Sequence, residues 1–416
     1  MNYYFKFYII FFGGVLFYSC GPDDIISQKQ NPNKESKITG IEDYEHRSLK
    51  PHKHLFLPLS ISNRFIVNSQ GVRVKLASVN WYGSSDKNHV VMGLDLAPID
   101  LIARLIKRIG FNSVRLPFSN EMLHKKEKLS PMRLKANPDL WNLSPLEVFD
   151  KIIGTLSDHE IFIILNNHTT TGQWCCAEND GNGLWYNRKQ SPEDWMNDWE
   201  FLIDRYKKNP MVIGADLRNE LRRDGLNIPN WGYGDKSDFK QASQDLGNRL
   251  LSINSDLLII LEGLHYSSNF RSIKRSPIKL KIKNRIIYSP HIYPWFQTRT
   301  GINYGRLSSY SRFKKELDYF WDFRLKSPIW VGEWGYSLKD HLDPKNYFSQ
   351  HILRYLKETD IDWAWWPLNV GIKPGSNQKE TWGLLEENWK ELKKNDVRLE
   401  QIKGLISNRA SERSPH

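Results

Sequence analysis

Two glutamates stand directly after apolar runs of the sequence and could carry chemistry. Glu220 ends the run VIGADLRNE, residues 212–220, and Glu333 ends the run PIWVGE, residues 328–333. A strand interior offers no favourable place for an unpaired charge, so each carboxylate belongs either to a surface salt bridge or cap, or to a site where polar groups converge. Two carboxylates with different pKa values can share the work of breaking a glycosidic bond, one protonated and one ionised.

The two glutamates belong to a regular alternation of strand-like and helix-like segments. Eight runs are predicted as strands: 75–79, 111–116, 161–165, 212–217, 257–261, 285–288, 328–331 and 362–366. Runs that are apolar almost throughout indicate strands buried on both faces, as in parallel sheets. Ser144-Pro145 and Ser191-Pro192 are typical of an N-cap and the first helical position. The pattern predicts an α/β protein with a (β/α)8 TIM barrel rather than a doubly wound open sheet, because no GxGxxG follows an early strand.

Polar and aromatic residues stand at the carboxyl end of every predicted strand. In a (β/α)8 barrel these ends meet at one face, which is where the active site lies. Glu220 and Glu333 are 113 positions apart (333 − 220), or three βα units, so we expect them to face each other across the barrel mouth. The same face should gather the other strand-end residues: Asn80, Trp81, Tyr82, Arg115, Asn166, Asn167, His168, Arg218, Asn219, Glu262, His291, Tyr293, Trp365 and Trp366.

In their order along the chain, these stretches resemble glycoside hydrolase family 5, the cellulase-type group of retaining β-glycosidases with a (β/α)8 barrel. The similar stretches are residues 79–81 (VNW), 112–117 (NSVRLP), 165–168 (LNNH), 218–220 (RNE), 291–293 (HIY), 329–333 (IWVGE) and 363–366 (WAWW). Each motif alone is weak, whereas seven in the family's order are specific. The family usually has proline after its Asn-Glu pair, where this chain has Leu221.

The resemblance implies a role for each of these strand-end residues. Glu220 would be the acid/base and Glu333 the nucleophile, with Asn219 binding the 2-hydroxyl of the sugar. Arg115 and Tyr293 would hold Glu333, since a nearby arginine keeps a carboxylate ionised. The other substrate-binding residues that we expect are His168 and His291 beside the scissile bond, Trp366 under the sugar ring, and Trp81.

Tryptophans on the predicted loops are candidates for outer sugar subsites. The loop after the third strand, residues 172–185, is unusually long and carries Trp174 and Trp185. Trp231 and Trp295 lie on other loops. Indole rings stack on sugars but also fill protein cores, so the sequence leaves both interpretations open, and we include Trp185 among the substrate-binding residues.

Cys175 and Cys176 are adjacent and therefore cannot link distant segments. In an oxidising compartment they can form a vicinal disulfide, and otherwise they remain free thiols. Neither a CxxC motif nor a nearby histidine gives them the pattern of a metal site. We therefore predict no metal and no cofactor.

The chain has a formal net charge of +12, and its basic residues are scattered rather than clustered. This favours a solvated basic surface over affinity for an acidic polysaccharide. The sequence contains no visible nucleic-acid recognition module, so we expect no nucleic-acid partner. We expect the protein to be a monomer.

The amino terminus is typical of a bacterial lipoprotein. Residues 1–19 have a charged start and a short apolar core, as in a secretory signal peptide, and Cys20 follows as the lipidation site. We predict a flexible tether over 20–58, a glycoside hydrolase barrel over 59–407 and a disordered tail over 408–416. The expected location is the cell envelope, with the protein lipid-anchored to a bacterial outer membrane. The sequence leaves surface exposure open, and the alternative is a periplasmic or secreted protein.

A β-hairpin signal over residues 64–74, with a polar Asn-Ser-Gln-Gly turn, precedes the first barrel strand and should close the bottom of the barrel. The function expected for the whole chain is a retaining endo- or exo-β-glycosidase acting on a β-linked glycan. Two alternatives remain: a catalytically inactive glycan-binding lipoprotein, and a metal-dependent barrel hydrolase. The presence of both carboxylates counts against the first, and the lack of a His/Asp ligand motif counts against the second.

Overall fold

A computed structural model of the chain describes residues 55–321 and 327–407. Residues 1–54 and 408–416 lie outside the described residues. The signal peptide, the lipidation of Cys20, the flexible tether as far as residue 54 and the disordered tail therefore stay predictions. Across the two described ranges, no helix combines the length and the apolar character that crossing a bilayer requires.

Eight parallel strands form the barrel and confirm the predicted fold. They are β1 (Ala77–Asn80), β2 (Ser113–Ser119), β3 (Phe162–Thr169), β4 (Val212–Asp216), β5 (Leu258–Glu262), β6 (Ile286–Ser289 and His291–Ile292), β7 (Trp330–Trp334) and β8 (Asp362–Trp365). Consecutive strands pair in parallel, and β8 pairs with β1. The barrel closes through β6, whose first part pairs with β5 and whose second part pairs with β7. Pro290 separates these two parts, because proline has no N–H to donate to a ladder.

A helix follows each strand before the next strand begins. These helices are α1 (Ile99–Ile109), α2 (Pro145–Asp158), α3 (Pro192–Tyr206), α4 (Phe239–Ile253), α5 (Arg271–Arg275), α6 (Tyr310–Trp321), α7 (Phe348–Thr359) and α8 (Val397–Ser407). Shorter helices at Asn120–His124, Leu264–Ser267 and Leu338–Leu342 lie in the loops. The predicted N-caps Ser144 and Ser191 are confirmed, since each forms a reciprocal capping box with the third helical residue.

The amino-terminal hairpin forms earlier in the chain than the predicted 64–74. Its strands are Ser60–Ser62 and Phe65–Val67, which pair antiparallel around a two-residue turn. Asn63 takes the left-handed backbone conformation in that turn (φ 54°), which asparagine tolerates better than most residues. The predicted turn also forms, with Gly71 at φ 77°, but an isolated bridge rather than a strand follows it.

This hairpin lies at the amino-terminal ends of the barrel strands, as expected for the bottom of the barrel. Arg285, which precedes β6, donates a hydrogen bond of 3.0 Å to the carbonyl oxygen of Leu59. Arg73, which follows the hairpin, donates to a carboxylate oxygen of Asp362 at the start of β8, at 3.5 Å. The opposite face of the barrel is therefore left open for a ligand.

All residues of β2, β3, β4, β5 and β7 are buried, as their apolar character predicts. Most of the polar and charged side chains of these strands lie toward the carboxyl ends of the strands. There, side chains such as Arg115, Asp216, Glu262 and Glu333 are removed from water and must find partners among themselves. The fold thus concentrates its buried charges at one end of the barrel.

Candidate active site

A cleft of about 440 Å³ opens at the carboxyl ends of the strands. Its lining includes both predicted catalytic glutamates and several aromatic rings. The lining residues that matter below are Tyr82, Asp86, His168, Trp174, Cys175, Cys176, Asn219, Glu220, Tyr266, Tyr293, Trp295, Glu333, Trp366, Lys373, Glu380 and Trp382.

Glu220 and Glu333 meet in this cleft, although 113 positions separate them (333 − 220). A carboxylate oxygen of each and a ring nitrogen of His291 all lie within 4.8 Å of one another. Both glutamates are buried, with 8% and 4% of their surface exposed. The two side chains can therefore reach the same bond of a bound molecule from two directions.

Glu333 is held at both carboxylate oxygens. Arg115 donates from Nη1 to Oε1 at 2.6 Å, and the hydroxyl of Tyr293 donates to Oε2 at 2.8 Å. Burial raises the pKa of Glu333 above its ordinary value, while the positive charge of Arg115 and the Tyr293 hydrogen bond act against that rise. The structure thus brings Arg115 and Tyr293 to Glu333, where the resemblance placed them.

Glu220 has a different environment. Its Oε1 lies 2.9 Å from Nδ1 of His291, and burial raises its pKa to about 7, with the charges of Arg222 and Arg115 acting against the rise. Burial also lowers the pKa of His291 to about 4, so this histidine is neutral near pH 7. A carboxyl group with a pKa near 7 can both give and accept a proton at neutral pH.

The backbone of Glu220 is also unusual. Its φ is +42°, in the left-handed region that costs a non-glycine residue on the order of 1 kcal/mol and that occurs preferentially at functional sites. The N–H of Glu220 donates to Oε2 of Glu262 at 2.7 Å. Glu262 thereby stabilises the turn that aims the Glu220 side chain into the cleft.

Glu262, which ends β5, was expected at this face of the barrel, but the sequence analysis assigned it no role in the site. It is fully buried, and its Oε1 accepts a hydrogen bond from Nη2 of Arg115 at 2.9 Å. Burial and the neighbouring charge of Asp216 raise its pKa well above the ordinary value. Glu262 therefore links the backbone of Glu220 to the arginine that holds Glu333.

Asp216 is a site residue that the sequence analysis missed. Its Oδ2 accepts from Nε of Arg115 at 2.7 Å, so Arg115 contacts three carboxylates: those of Asp216, Glu262 and Glu333. Burial alone would lower the pKa of Arg115, but these charges raise it above its ordinary value. The only signal in the sequence was a carboxylate inside the otherwise apolar run 212–217.

Asn219 lies between this charge cluster and the cleft. Its Oδ1 accepts from Nη2 of Arg115 at 2.8 Å, which fixes the orientation of the amide. Its Nδ2 points toward the sulfur atoms of Cys175 and Cys176, at 3.6 and 3.8 Å. Of the two states that the sequence left open for these cysteines, the structure contains the vicinal disulfide.

Trp366 lines the cleft beside two parallel rings. Its ring centroid is 5.6 Å from that of His168 and 5.3 Å from that of Tyr82, with interplanar angles of 7° and 12°. Burial lowers the pKa of His168 well below its ordinary value, and its Nδ1 lies 2.8 Å from Oδ1 of Asn166. Trp366 and His168 thus both reach the cleft, as predicted.

Three tryptophans that the sequence offered as candidates for sugar binding are part of the core. Trp81 is fully buried and donates from Nε1 to the carbonyl of Met92 at 3.0 Å, and Trp185 packs its ring against Phe239 with centroids 5.1 Å apart. Trp231 is only 6% exposed. The assignment of Trp81 and Trp185 to substrate binding is therefore corrected, because burying such large rings favours inward packing.

The two other loop tryptophans do line the cleft. Trp174 is 37% exposed and Trp295 is 54% exposed. Trp295 lies parallel to Tyr293, with ring centroids 4.7 Å apart. The exposed indole rings of Trp174 and Trp295 are both available for stacking on a sugar.

The far part of the cleft carries charged residues that the sequence did not single out. The hydroxyl of Tyr82 donates to Oε2 of Glu380 at 3.3 Å, and Nζ of Lys373 lies 3.7 Å from the same oxygen. Burial raises the pKa of Asp86 well above its ordinary value, and Oδ2 of Asp86 has no hydrogen-bond partner among the described residues. These residues lie on loops whose approach to the cleft depends on the fold.

The spacing of Glu220, His291 and Glu333 would also suit a metal ion. However, both oxygens of Glu333 already accept hydrogen bonds from Arg115 and Tyr293. The adjacent guanidinium would repel a cation. The set of donors therefore suits an acid and a nucleophile better than it suits a metal.

A (β/α)8 barrel with two carboxylates meeting in an aromatic cleft is the arrangement of a glycoside hydrolase. Residues 67–371 match the family model described as cellulase, glycosyl hydrolase family 5. The chain belongs to this family and is a glycoside hydrolase, which confirms the resemblance and the enzyme class inferred from the sequence.

Relatives and solved structures agree with this family. The chain is 30% identical over 346 residues to an endoglucanase of Paenibacillus polymyxa, covering 78% of this chain and 81% of the relative. It is 26% identical over 365 residues to the major extracellular endoglucanase of Xanthomonas campestris pv. campestris, covering 82% and 70%. A structure of an endocellulase variant from Pyrococcus horikoshii in complex with cellotetraose superposes with a TM-score of 0.71 at 25% identity, covering 84% of this chain and 98% of that one.

Proposed function

We propose that the protein is a retaining, endo-acting β-glucanase that cleaves β-1,4-linked glucans with Glu333 as nucleophile and Glu220 as acid/base. The observation that carries this proposal is the approach of the two carboxylates to within 4.8 Å. Retaining glycosidases have carboxyl groups about 5–5.5 Å apart, whereas inverting enzymes need about 6.5–9.5 Å to admit a water molecule.

In the first step, a carboxylate oxygen of Glu333 attacks the anomeric carbon as the bond to the leaving oxygen breaks. Glu220 gives its proton to that oxygen, so the departing sugar leaves as an alcohol and Glu220 becomes ionised. Its pKa of about 7 keeps the proton available at neutral pH. Arg115 and Tyr293 hold Glu333 in the position for attack.

In the second step, water replaces the departed sugar. Glu220 takes a proton from the water, whose oxygen attacks the anomeric carbon and releases Glu333 as a carboxylate. While Glu333 is esterified, a negative charge within 4.8 Å of Glu220 is absent. Loss of a like charge lowers the pKa of Glu220, which favours its action as a base in this step.

The lining of the cleft favours a neutral glycan over an acidic one. Four lining residues carry carboxyl groups: Asp86, Glu220, Glu333 and Glu380. Among the described residues that line the cleft, Lys373 alone is a lysine or an arginine. An anionic polysaccharide would meet repulsion here despite the net charge of +12 on the whole chain. Exposed aromatic rings suit the apolar faces of glucose units, and the relatives above are named endoglucanases.

Hydrolysis of cellotetraose followed by proton NMR tests this proposal. We expect the β-anomer to appear first at the newly formed reducing end, and we expect the viscosity of carboxymethylcellulose to fall well before reducing sugars accumulate. Mannan, β-1,3-glucan and polygalacturonate serve as comparison substrates. Initial release of the α-anomer would contradict the retaining mechanism, and binding of glycans without turnover across this panel would support the inactive glycan-binding alternative.

We also propose that Cys20 is lipidated and anchors the enzyme in the cell envelope. The supporting feature is the sequence alone: a charged start, a short apolar core and a cysteine before Gly-Pro-Asp-Asp. Expressed in a Gram-negative host, the full chain should partition into the detergent phase of Triton X-114, and a Cys20→Ser variant should move to the aqueous phase. Equal partitioning of both forms would contradict lipidation.

A further inference from the structure

The loop after β3 carries the Cys175–Cys176 disulfide into the cleft beside Glu220. Both cysteines are half-buried and line the cleft. Their sulfur atoms and a carboxylate oxygen of Glu220 lie within 4.8 Å of one another. A sugar whose glycosidic oxygen reaches Glu220 must therefore pass close to the two sulfurs.

This loop is fastened to the acid/base segment by one buried arginine. Arg222 donates from Nη2 to both carboxylate oxygens of Asp180, at 2.8 and 2.6 Å, and from Nε to the carbonyl of Ala177 at 3.0 Å. Its Nη1 donates to the carbonyl of Glu220 at 3.1 Å. Because one guanidinium holds both segments, the sulfurs keep a defined position relative to Glu220.

The side-chain amide of Asn219 contacts the same disulfide. Arg115 fixes its Oδ1, so its Nδ2 faces the sulfurs at 3.6 and 3.8 Å. Sulfur is a weak acceptor, and a sugar hydroxyl would be a better partner for this amide. Asn219 therefore remains available to the sugar that Glu333 attacks, and the disulfide lies next to it beside the scissile bond.

The disulfide also borders a second cavity, of about 580 Å³, which adjoins the cleft. Cys176, Tyr266 and Trp295 line both spaces. His291, whose Nδ1 lies 2.9 Å from Oε1 of Glu220, also lines this second cavity. Because Glu220 protonates the oxygen of the departing sugar, we assign the second cavity to the leaving-group side. Polarizable sulfur atoms suit contact with the C–H face of a pyranose ring.

We propose that the Cys175–Cys176 disulfide is a substrate-contacting surface that binds the leaving-group sugar and so favours oligosaccharide substrates. This inference rests on the proposed function, because it takes Glu220 as the acid. It assigns a role in specificity to the one pair of cysteines in the described part of the chain.

Two substrates with the same glycosyl part separate this role from a general structural one. Cellotetraose has a sugar as leaving group, whereas β-cellobiosyl fluoride loses fluoride and places no sugar on that side. In a Cys175→Ala/Cys176→Ala variant we expect kcat/KM for cellotetraose to fall by about tenfold and kcat/KM for the fluoride to change by less than about twofold. An equal loss on both substrates, or no loss on either, would overturn the proposal. If the wild type hydrolyses neither substrate, the proposed function itself fails.

Reduction of the wild type gives a second test that does not depend on how the variant folds. A phosphine such as TCEP and one water molecule convert the disulfide to two thiols and the phosphine becomes its oxide. The only other cysteine of the chain is Cys20, which the double variant retains as a control. Reduced wild type, confirmed by two more carbamidomethyl groups than the unreduced protein carries, should lose activity on cellotetraose but not on the fluoride, and the double variant should not respond. Unchanged cellotetraose hydrolysis by the reduced wild type would refute the contact.

Discussion

A Glu333→Gln variant is expected to lose activity on β-glucan by on the order of 10⁴-fold in kcat, because a carboxamide cannot attack the anomeric carbon. The substitution preserves the shape of the side chain and an oxygen that can accept from Arg115, which lies 2.6 Å from Oε1 in the structure. The loss should therefore appear in kcat, with little change in the affinity for cellotetraose. Steady-state kinetics on cellotetraose and isothermal titration with the inactive variant measure these two quantities.

Glu316→Gln is the matched control for this variant. Glu316 is buried like Glu333, at 4% exposure, and is also paired with an arginine, Arg299, but it does not line the cleft. Its substitution should change kcat by less than about twofold, whatever it does to stability. A 2-deoxy-2-fluoro-β-cellobioside should add one glycosyl group to the wild type, and peptide mapping should place that group on Glu333. Attachment to another residue would disprove the assignment of the nucleophile.

For Glu220→Ala, the expected loss depends on the leaving group. Hydrolysis of cellotetraose should slow by about 10²- to 10⁴-fold, since the departing alcohol then leaves without a proton from the enzyme. Hydrolysis of β-cellobiosyl fluoride should keep most of its glycosylation rate, because fluoride is a good leaving group. Azide should restore turnover in the variant and yield a β-glycosyl azide. An equal loss on both substrates, without azide rescue, would contradict the role of Glu220.

The pH dependence provides a further readout of Glu220. Its pKa of about 7, raised by burial, means that the protonated acid predominates below pH 7 and is lost as the pH rises. In the wild type, kcat/KM for cellotetraose should therefore fall on the alkaline side of about pH 7. This alkaline limb should be missing when the Glu220→Ala variant acts on the fluoride, where no acid is needed. Persistence of the limb in the variant would assign it to another group.

Much of the architecture could be read from local pattern. The eight strands were placed within a few residues of their observed bounds, because continuous apolar runs and serine-proline caps are local signals. The pairing of Glu220 with Glu333 followed from topology, since all parallel strands of a barrel end at the same face. For that reason the order of strand-end residues was enough to predict the approach of two carboxylates now found within 4.8 Å.

Loop side chains were predicted less well, and the tryptophans show why. Trp174 and Trp185 belong to the same loop, yet Trp174 lines the cleft while Trp185 is buried against Phe239. Whether a ring turns inward depends on the space that distant helices leave for it, and sequence spacing along a loop does not encode that space. Trp81, next to the strand-end Asn80, turned inward for the same reason.

The contacts that tune the catalytic pair also depended on the assembled barrel. Glu262 holds the backbone of Glu220, Asp216 holds Arg115, and the disulfide of the β3 loop lies against Asn219. These partners come from different strands and loops, and the stretches that carry them showed no periodicity connecting one to another. Local sequence pattern accounts for which residues reach the mouth of the barrel, because strand direction is a local property. Long-range packing accounts for which of them touch, because hydrogen bonds and ion pairs act over a few ångströms between segments far apart in the chain.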